Sequence, residues 1–384
     1  MYYLKLFNET LITFDMNRNL GLEIKNINII TEDRTKYPII LQNTINEKTI
    51  TEFLQTRIIP KNRGFVEQIL TSVGLNINDT KGIIDICKGL SLNDCYWIVQ
   101  DETLKFEDYN LYDNEFSETL SLVAFTGYTT KVKGIITSPE LTTNGFLPKA
   151  WRRIDGEIYL YKGSTERLHY SNTGLEPYSE YYAYQIAEKM EIDSVKYDLN
   201  RWKDDLVSIC KLFTSKEYSY IPIYQILPNT TLREVASFMK QNHFEEEFGD
   251  LILLDALIMN YDRHFGNFGV LKNNYTGIIT KLAPIFDNGE GLLSKVDKKI
   301  FEDSKTFDEF INSENANISY YGISFDELVS NFCNKTHISK LRKLLTFEFT
   351  KHPNYNLDEQ RLKLLEKMVK DRAKRFIKII EKSK

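Results

Sequence analysis

Asp262 and Asn267 stand five residues apart in Asn260-Tyr261-Asp262-Arg263-His264-Phe265-Gly266-Asn267-Phe268-Gly269-Val270-Leu271. A carboxylate followed at that distance by an amide is the pairing used for phosphoryl transfer to a hydroxyl. The carboxylate takes the hydroxyl proton and the amide oxygen holds a divalent metal. Such a reaction asks little covalent work of the protein, so positioning and charge neutralisation dominate. Beyond this loop, Lys281-Leu282-Ala283-Pro284-Ile285-Phe286-Asp287-Asn288-Gly289 places a second carboxylate just past an apolar strand, ahead of an Asn-Gly dipeptide that reads as a flexible turn. Magnesium takes a few protein oxygens plus phosphate oxygens, and Asn267 with Asp287 would supply the protein's share. Either aspartate alone would fit a helix cap or a turn. Their ordered combination is what points to chemistry. His264, inside the loop, fits two roles: fixing the loop by hydrogen bonds, or touching the transferring group.

Upstream, Ala150-Trp151-Arg152-Arg153-Ile154 leads to Asp155-Gly156, a strong hairpin-turn dipeptide, and Glu157 to Tyr161 alternates as a strand that ends at Lys162. A lysine there could reach nucleotide phosphates, with Glu180 on the next helix as its ion-pair partner. Thr142-Thr143-Asn144-Gly145-Phe146-Leu147-Pro148-Lys149 reads as a phosphate loop. Gly145, after Asn144, permits close backbone approach, and Lys149 adds positive charge. It is not a Walker A sequence.

The elements that must position these groups follow from pattern. Leu4 to Leu6 and Leu11 to Phe14 read as strands; Thr51 to Thr56 and Gly64 to Val73 carry helical spacing. Trp97, Phe106, Tyr109, Leu111, Tyr112 and Phe116 form an aromatic-rich stretch best taken as packed core. The texture changes near Ile135-Ile136. A helix follows over about 179–190, then strands at 195–197 and 207–213, an apolar helix from Phe248 to Met259, and a long basic helix from Asp358 to about Ile380. The expected fold is α+β and bilobal: an accessory α+β domain over 1–135, a small β-rich lobe with the phosphate loop over 136–215, and a mainly helical lobe with the catalytic loop over 216–384.

The chain's 384 residues exceed what one hydrophobic core usually organises, and its 42% hydrophobic and 27% charged residues are those of a globular protein. No apolar run approaches the length of a membrane span, and the first residues lack the apolar core of a secretion signal, so the expected address is cytoplasmic. The four cysteines are scattered without a Cys-x-x-Cys pair, which argues against a disulfide framework or a zinc site. A net charge of −5 gives no footprint for direct nucleic-acid binding.

In three segments, taken in order, the chain resembles the HipA-like kinases. These are Thr142-x-x-Gly145-x-x-x-Lys149 with Tyr159-Leu160-Tyr161-Lys162, then Glu180 early in a helix, then Asn260-x-Asp262-x-His264-x-x-Asn267 with Phe286-Asp287. The resemblance implies ATP and Mg2+ as cofactors, Asp262 as catalytic base, Asn267 and Asp287 on the metal, and Lys162 on the phosphates. It further implies that Lys211 and Phe213 border the adenine. Family members phosphorylate serine or threonine of proteins, and many are toxins held by a DNA-binding antitoxin protein. Some autophosphorylate a serine of the phosphate loop, the position that Thr142 occupies here, with Thr143 beside it. Asp262-Arg263-His264-x-x-Asn267 also resembles the loop of phosphatidylinositol kinases. A lipid or small-molecule hydroxyl is therefore the rival acceptor, and a non-catalytic nucleotide-binding scaffold the remaining alternative. The terminal basic residues (Lys363, Lys367, Lys370, Arg372, Lys374, Arg375) read as a solvated helix surface, with membrane docking as the competing reading.

Overall fold

The computed structural model describes residues 1–18, 22–132, 134, 137–168, 174–227 and 229–383. The texture change read at Ile135-Ile136, and with it the boundary between 135 and 136, falls outside them. The chain packs as two compact units, one of Met1–Lys162, Lys211–Ile221 and Val270–Lys281, the other of Gly163–Cys210, Pro222–Gly269 and Leu282–Lys384.

The first unit opens with strands β1 (Tyr2–Leu6), β2 (Glu9–Arg18) and β3 (Leu22–Ile29), which with β4 (Tyr96–Val99) make an antiparallel sheet in the order β3-β2-β1-β4. Leu4 faces Ile12 on one side and Ile98 on the other. Burial does not alternate along the central strands, which are covered on both faces: all of β4 is buried, and in β1 only Tyr3 is partly exposed. Leu4, Phe14, Trp97 and Ile98 close one core with residues of the Glu47–Gln55, Val66–Ser72 and Thr80–Cys87 helices. Asn46 and Thr49 start the first of these helices with a reciprocal capping box. The aromatic stretch read as core is core: Trp97 and Phe106 are buried, and Tyr109, Tyr112 and Phe116 pack against them. A buried ion pair staples the unit, with Arg57 donating to both oxygens of Asp94 at 2.9 and 2.6 Å.

Strands β5 (Lys149–Ile154) and β6 (Glu157–Lys162) form the hairpin expected from Asp155-Gly156, whose φ angles of 50° and 80° match a left-handed two-residue turn. The segment after Lys211 belongs beside β6, since the Leu212 amide donates to the Ile158 carbonyl at 2.9 Å. The strands Tyr218–Pro222, Gly269–Asn273 and Ile279–Leu282 make a three-stranded sheet with the second in the middle.

The second unit is built around the Glu245–Ile258 helix. From Phe248 to Met259 every residue is buried, including Asp250 and Asp255. The helix begins three residues before the apolar run, because Glu245, Glu246 and Glu247 favour the positive end of the helix dipole. The Glu176–Met190 helix likewise starts early, with Pro177 in its first turn. Tyr197–Trp202 and Asp205–Lys211 pair antiparallel. The terminal Glu359–Lys382 helix buries Leu362, Leu365, Val369, Arg372, Phe376 and Ile380 at helical spacing. Four of its cations are engaged within the protein: Lys367 with Asp308, Lys374 with Asp371, Arg375 with Asp326, and Arg372 with the Ala256 carbonyl at 2.7 Å. No helix among the described residues is long and apolar enough to cross a membrane.

Removing one partner of a buried pair leaves an uncompensated charge, so Asp94→Ala is expected to destabilise the protein by about 3–5 kcal/mol. Urea unfolding of the variant against the wild type measures it.

Candidate active site

The Asp262–Asn267 loop is organised from below by Arg263, which is 1% exposed. A guanidinium carries five N–H donors in a fixed plane, and here all five find acceptors. Nε and one Nη2 donor meet Asp255 at 2.9–3.2 Å. The other Nη2 donor meets Asn288 Oδ1 at 2.6 Å. Nη1 serves the Asn267 carbonyl at 3.1 Å and the Phe286 carbonyl. Burial by itself lowers the guanidinium pKa, but the Asp255 carboxylate outweighs it and the net shift is upward.

This ties the Asp262–Asn267 loop to the Asp287 turn. Asn260 Oδ1 accepts the Asp262 amide at 3.1 Å, while its Nδ2 donates to Asp255 at 3.1 Å. The Asp262 carbonyl accepts the His264 amide at 2.7 Å, and the His264 carbonyl accepts the Asn267 amide at 2.9 Å. His264 Nδ1 accepts the Gly266 amide at 3.0 Å, which leaves Nε2 to carry the ring proton. A Cβ at Gly266 would come within 2.9 Å of that imidazole, so the close turn requires glycine. Thus the loop-fixing role of His264 is met by geometry.

Asp287 sits at φ 60°, a left-handed conformation uncommon outside glycine, and its amide donates to the Tyr197 hydroxyl at 3.2 Å. The next residue is fully buried: the Asn288 amide donates to Glu180 Oε2 at 2.8 Å, and its carbonyl accepts from Ser179 Oγ at 2.6 Å. The Asn288-Gly289 dipeptide, read from sequence as a flexible turn, is therefore held on three sides. Glu180 is fully buried and fastens this turn to the Glu176–Met190 helix.

Carboxylates concentrate here. Glu290 is pushed above the ordinary carboxyl range, first by burial and then by the charges of Asp262 and Glu176, against the pull of Lys295 at 2.5 Å. Asn267 and Asp287 lie on the two segments that Arg263 joins, and each carries a side-chain oxygen of the hard kind that magnesium takes together with phosphate and water oxygens. No cluster of three His, Cys, Asp or Glu side chains able to hold a metal exists among the described residues.

Of the nucleotide candidates, all but Glu180 lie in the first unit. Lys149 and Lys162 are directly opposed across β5 and β6, both nearly buried. Directly opposed residues share a sheet face, so two cations are concentrated at one end of the hairpin. The Asn144-Gly145 turn lies against Lys149, with Gly145 at φ 100°, where a Cβ would fall 2.1 Å from Lys149 Nζ. Beneath the loop runs a buried ion pair that sequence reasoning missed. Arg63 contacts Glu140 at 3.5 Å and donates to the Leu147 and Lys149 carbonyls at 3.1 and 2.7 Å, while Glu140 accepts the Trp151 amide at 2.7 Å. Burial pushes the Glu140 carboxyl up to about 7 despite Arg63. Thr142 donates to the Leu90 carbonyl at 2.9 Å; Thr143 donates to the Pro139 carbonyl at 2.7 Å and accepts from Trp151 Nε1 at 2.9 Å. Lys211 pairs with Glu157 at 2.8 Å, and Phe213 meets Tyr220 edge-on at 5.6 Å.

No protein-family model matches the chain. The serine/threonine-protein kinase CtkA of Helicobacter pylori J99 is 27% identical over 164 residues, 37% of this chain and 49% of CtkA, so the chain spans about half the length of that curated relative. A solved structure of the toxin–antitoxin system HipA, HipB and operator DNA from Shewanella oneidensis MR-1 contains a chain that matches with TM-score 0.57 and 12% identity, covering 100% of this chain and 99% of that one. The crystal structure of H. pylori CtkA covers 60% of this chain and 92% of its own at TM-score 0.48 and 19% identity. The chain has a HipA-like kinase fold over its full length, α+β with small antiparallel sheets and many helices. Its sequence resembles a serine/threonine kinase over part of that length.

Two measurements test this geometry. Lysine cannot supply five coplanar donors, so Arg263→Lys is expected to lose about 3–5 kcal/mol of stability, read by thermal or urea unfolding. Glu140 titrates near 7 when folded and near 4.5 when unfolded. The folded state therefore binds the extra proton between those values, and stability falls as pH rises through that window, by up to about 1.4 kcal/mol per pH unit. Glu140→Gln is expected to remove that slope from unfolding curves taken at pH 5, 6 and 7.

Proposed function

We propose that the chain is an ATP- and magnesium-dependent phosphotransferase, a HipA-like protein serine/threonine kinase. The observation that carries this reading is the single guanidinium joining the Asp262–Asn267 loop to the Asp287 turn. It makes one rigid group of a base and two metal-binding oxygens. Asp262 takes the proton of the acceptor hydroxyl as its oxygen bonds to the γ-phosphorus and the bond to the β,γ-bridging oxygen breaks, releasing ADP. Magnesium, when bound, neutralises phosphate charge, and Asn267 and Asp287 are its protein ligands in this reading. Lys162 and Lys149 bind the phosphates with the backbone of Asn144-Gly145, and Glu180 acts as a positioning residue through Asn288. His264 shapes the loop; Lys211 and Phe213 border the adenine.

In this reading residues 1–135 are an accessory domain, 136–215 the nucleotide lobe and 216–384 the lobe of the catalytic loop. The likeness to a chain of the structure of HipA, HipB and operator DNA supports a toxin role with an antitoxin protein as partner; the cytoplasmic address in this reading rests on the sequence alone. Thr142 and Thr143 are the autophosphorylation candidates. Both hydroxyls are engaged inside the loop, so their modification requires the Pro139–Thr143 turn to open.

The test is incubation with magnesium and γ-labelled ATP, followed by phosphopeptide mapping and scoring of added protein substrates. Asp262→Asn is expected to lower transfer on the order of 10²–10⁴-fold with nucleotide affinity kept, since it removes a base and no phosphate ligand. Asp287→Ala is expected to lose both magnesium-dependent nucleotide affinity and rate. Transfer by Asp262→Asn at the wild-type rate contradicts the assignment.

A further inference from the structure

Two exposed tyrosines flank the candidate catalytic loop. Tyr320 is 50% exposed; its ring lies 6.2 Å from the His264 imidazole and meets Phe265 edge-on at 5.7 Å. Tyr224 is 46% exposed. Its amide donates to the Phe265 carbonyl at 3.3 Å, and its ring comes within 3.8 Å of the Cβ position of Gly266, the same position that His264 borders at 2.9 Å. Both phenols therefore border the turn that follows Asp262.

Tyr320 is presented by a tight turn. The Ser319 amide and hydroxyl both donate to the Ile323 carbonyl at 2.8 Å, and the Gly322 amide donates to the Ser319 carbonyl at 3.0 Å. Ile318 bridges to Ser324, and Tyr321 packs against Phe265 at 5.6 Å. Single exposed apolar residues are ordinary on a protein surface. A pair held rigidly at the mouth of a catalytic loop is different: tyrosines lose little conformational freedom on contact and combine an apolar face with a polar tip, which suits them to peptide recognition.

Charge decides against the other acceptor classes. Phosphorylated metabolites and lipid headgroups call for free arginine or lysine. At this site Arg263 is committed to Asp255 and Lys295 to Glu290, while Asp262, Glu290 and Glu176 add negative charge.

We infer that Tyr224 and Tyr320 form the acceptor-docking rim, and that it takes a polypeptide segment carrying an apolar side chain close to the serine or threonine that receives the phosphate. The inference rests on the proposed kinase reading and adds to it the residues that dock the acceptor and the side-chain preference they impose.

A positional-scanning library of serine- and threonine-containing peptides, labelled with magnesium and γ-labelled ATP, tests it. ADP release to water without peptide is followed in parallel. The wild type is expected to favour Leu, Ile, Met or Phe within about three residues of the acceptor, the reach of one extended segment. Tyr320→Ala and Tyr224→Ala are each expected to flatten that preference and lower kcat/KM for the best peptide about tenfold, mainly through KM, the scale of one interface anchor. Tyr320→Phe is expected to retain it, and ADP release without peptide to stay unchanged in all three variants. An apolar preference missing from the wild type, or surviving in both alanine variants, overturns the inference. So does labelling of phosphatidylinositol vesicles with no peptide labelled, which leaves the phosphotransferase reading standing. A wild type that forms no ADP under any condition takes down that reading and the inference together.

Discussion

The second unit depends on one buried contact, the Arg263 guanidinium in the grip of Asp255. Both groups are removed from water, and either one alone would be a large penalty in that position. Buried ion pairs contribute little net stability compared with an apolar replacement, but they specify geometry through the direction of their hydrogen bonds. Here the specification is the point. The helix that carries Asp255 is buried throughout from Phe248, so the carboxylate is an immobile reference. The arginine transmits that reference to the Asn267 carbonyl, the Phe286 carbonyl and the Asn288 side chain. Asn288 passes it on to Glu180 and Ser179. The loop that carries Asp262 and Asn267 and the turn that carries Asp287 are thereby held to a single buried group, which is the preorganisation that the proposed phosphoryl transfer would require.

The first unit uses the same device under its loop. Arg63 and Glu140 sit where water cannot reach and hold the carbonyls at both ends of the Leu147–Lys149 segment together with the Trp151 amide. The loop above can then bring Gly145 against the Lys149 ammonium, a contact that any side chain at that position would block.

What could be read in the sequence was what is local. The Asp-Gly turn, the alternating strand that ends at Lys162 and the apolar helix before Asn260 are each written within a dozen residues; the turn and strand formed where expected, and the helix formed with an earlier start. The Asp262–Asn267 spacing is local in the same sense. Helix starts were misplaced by three residues at Glu176 and Glu245, where prolines and acidic residues that look polar in a hydropathy pattern are favourable first-turn residues. The positioning groups were missed for a different reason. Arg63 and Glu140 are 77 residues apart, and neither spacing nor composition marks a pair at that distance. Asp255 did leave a trace, as a carboxylate within an otherwise apolar helix, since a charge there must have a partner. Asn288-Gly289 was read as a mobile turn because the dipeptide favours one; burial and three hydrogen-bonded partners override that tendency.

The central claim is that Asn267 and Asp287 are brought together by Arg263 to hold one metal ion. Crystals grown with manganese and a non-hydrolysable ATP analogue test it directly, because manganese takes oxygen ligands as magnesium does and scatters anomalously. The account expects an anomalous peak bonded to both the Asn267 side-chain oxygen and the Asp287 carboxylate, with Arg263 still on Asp255. A peak elsewhere, or nucleotide bound with metal that touches neither residue, would contradict it.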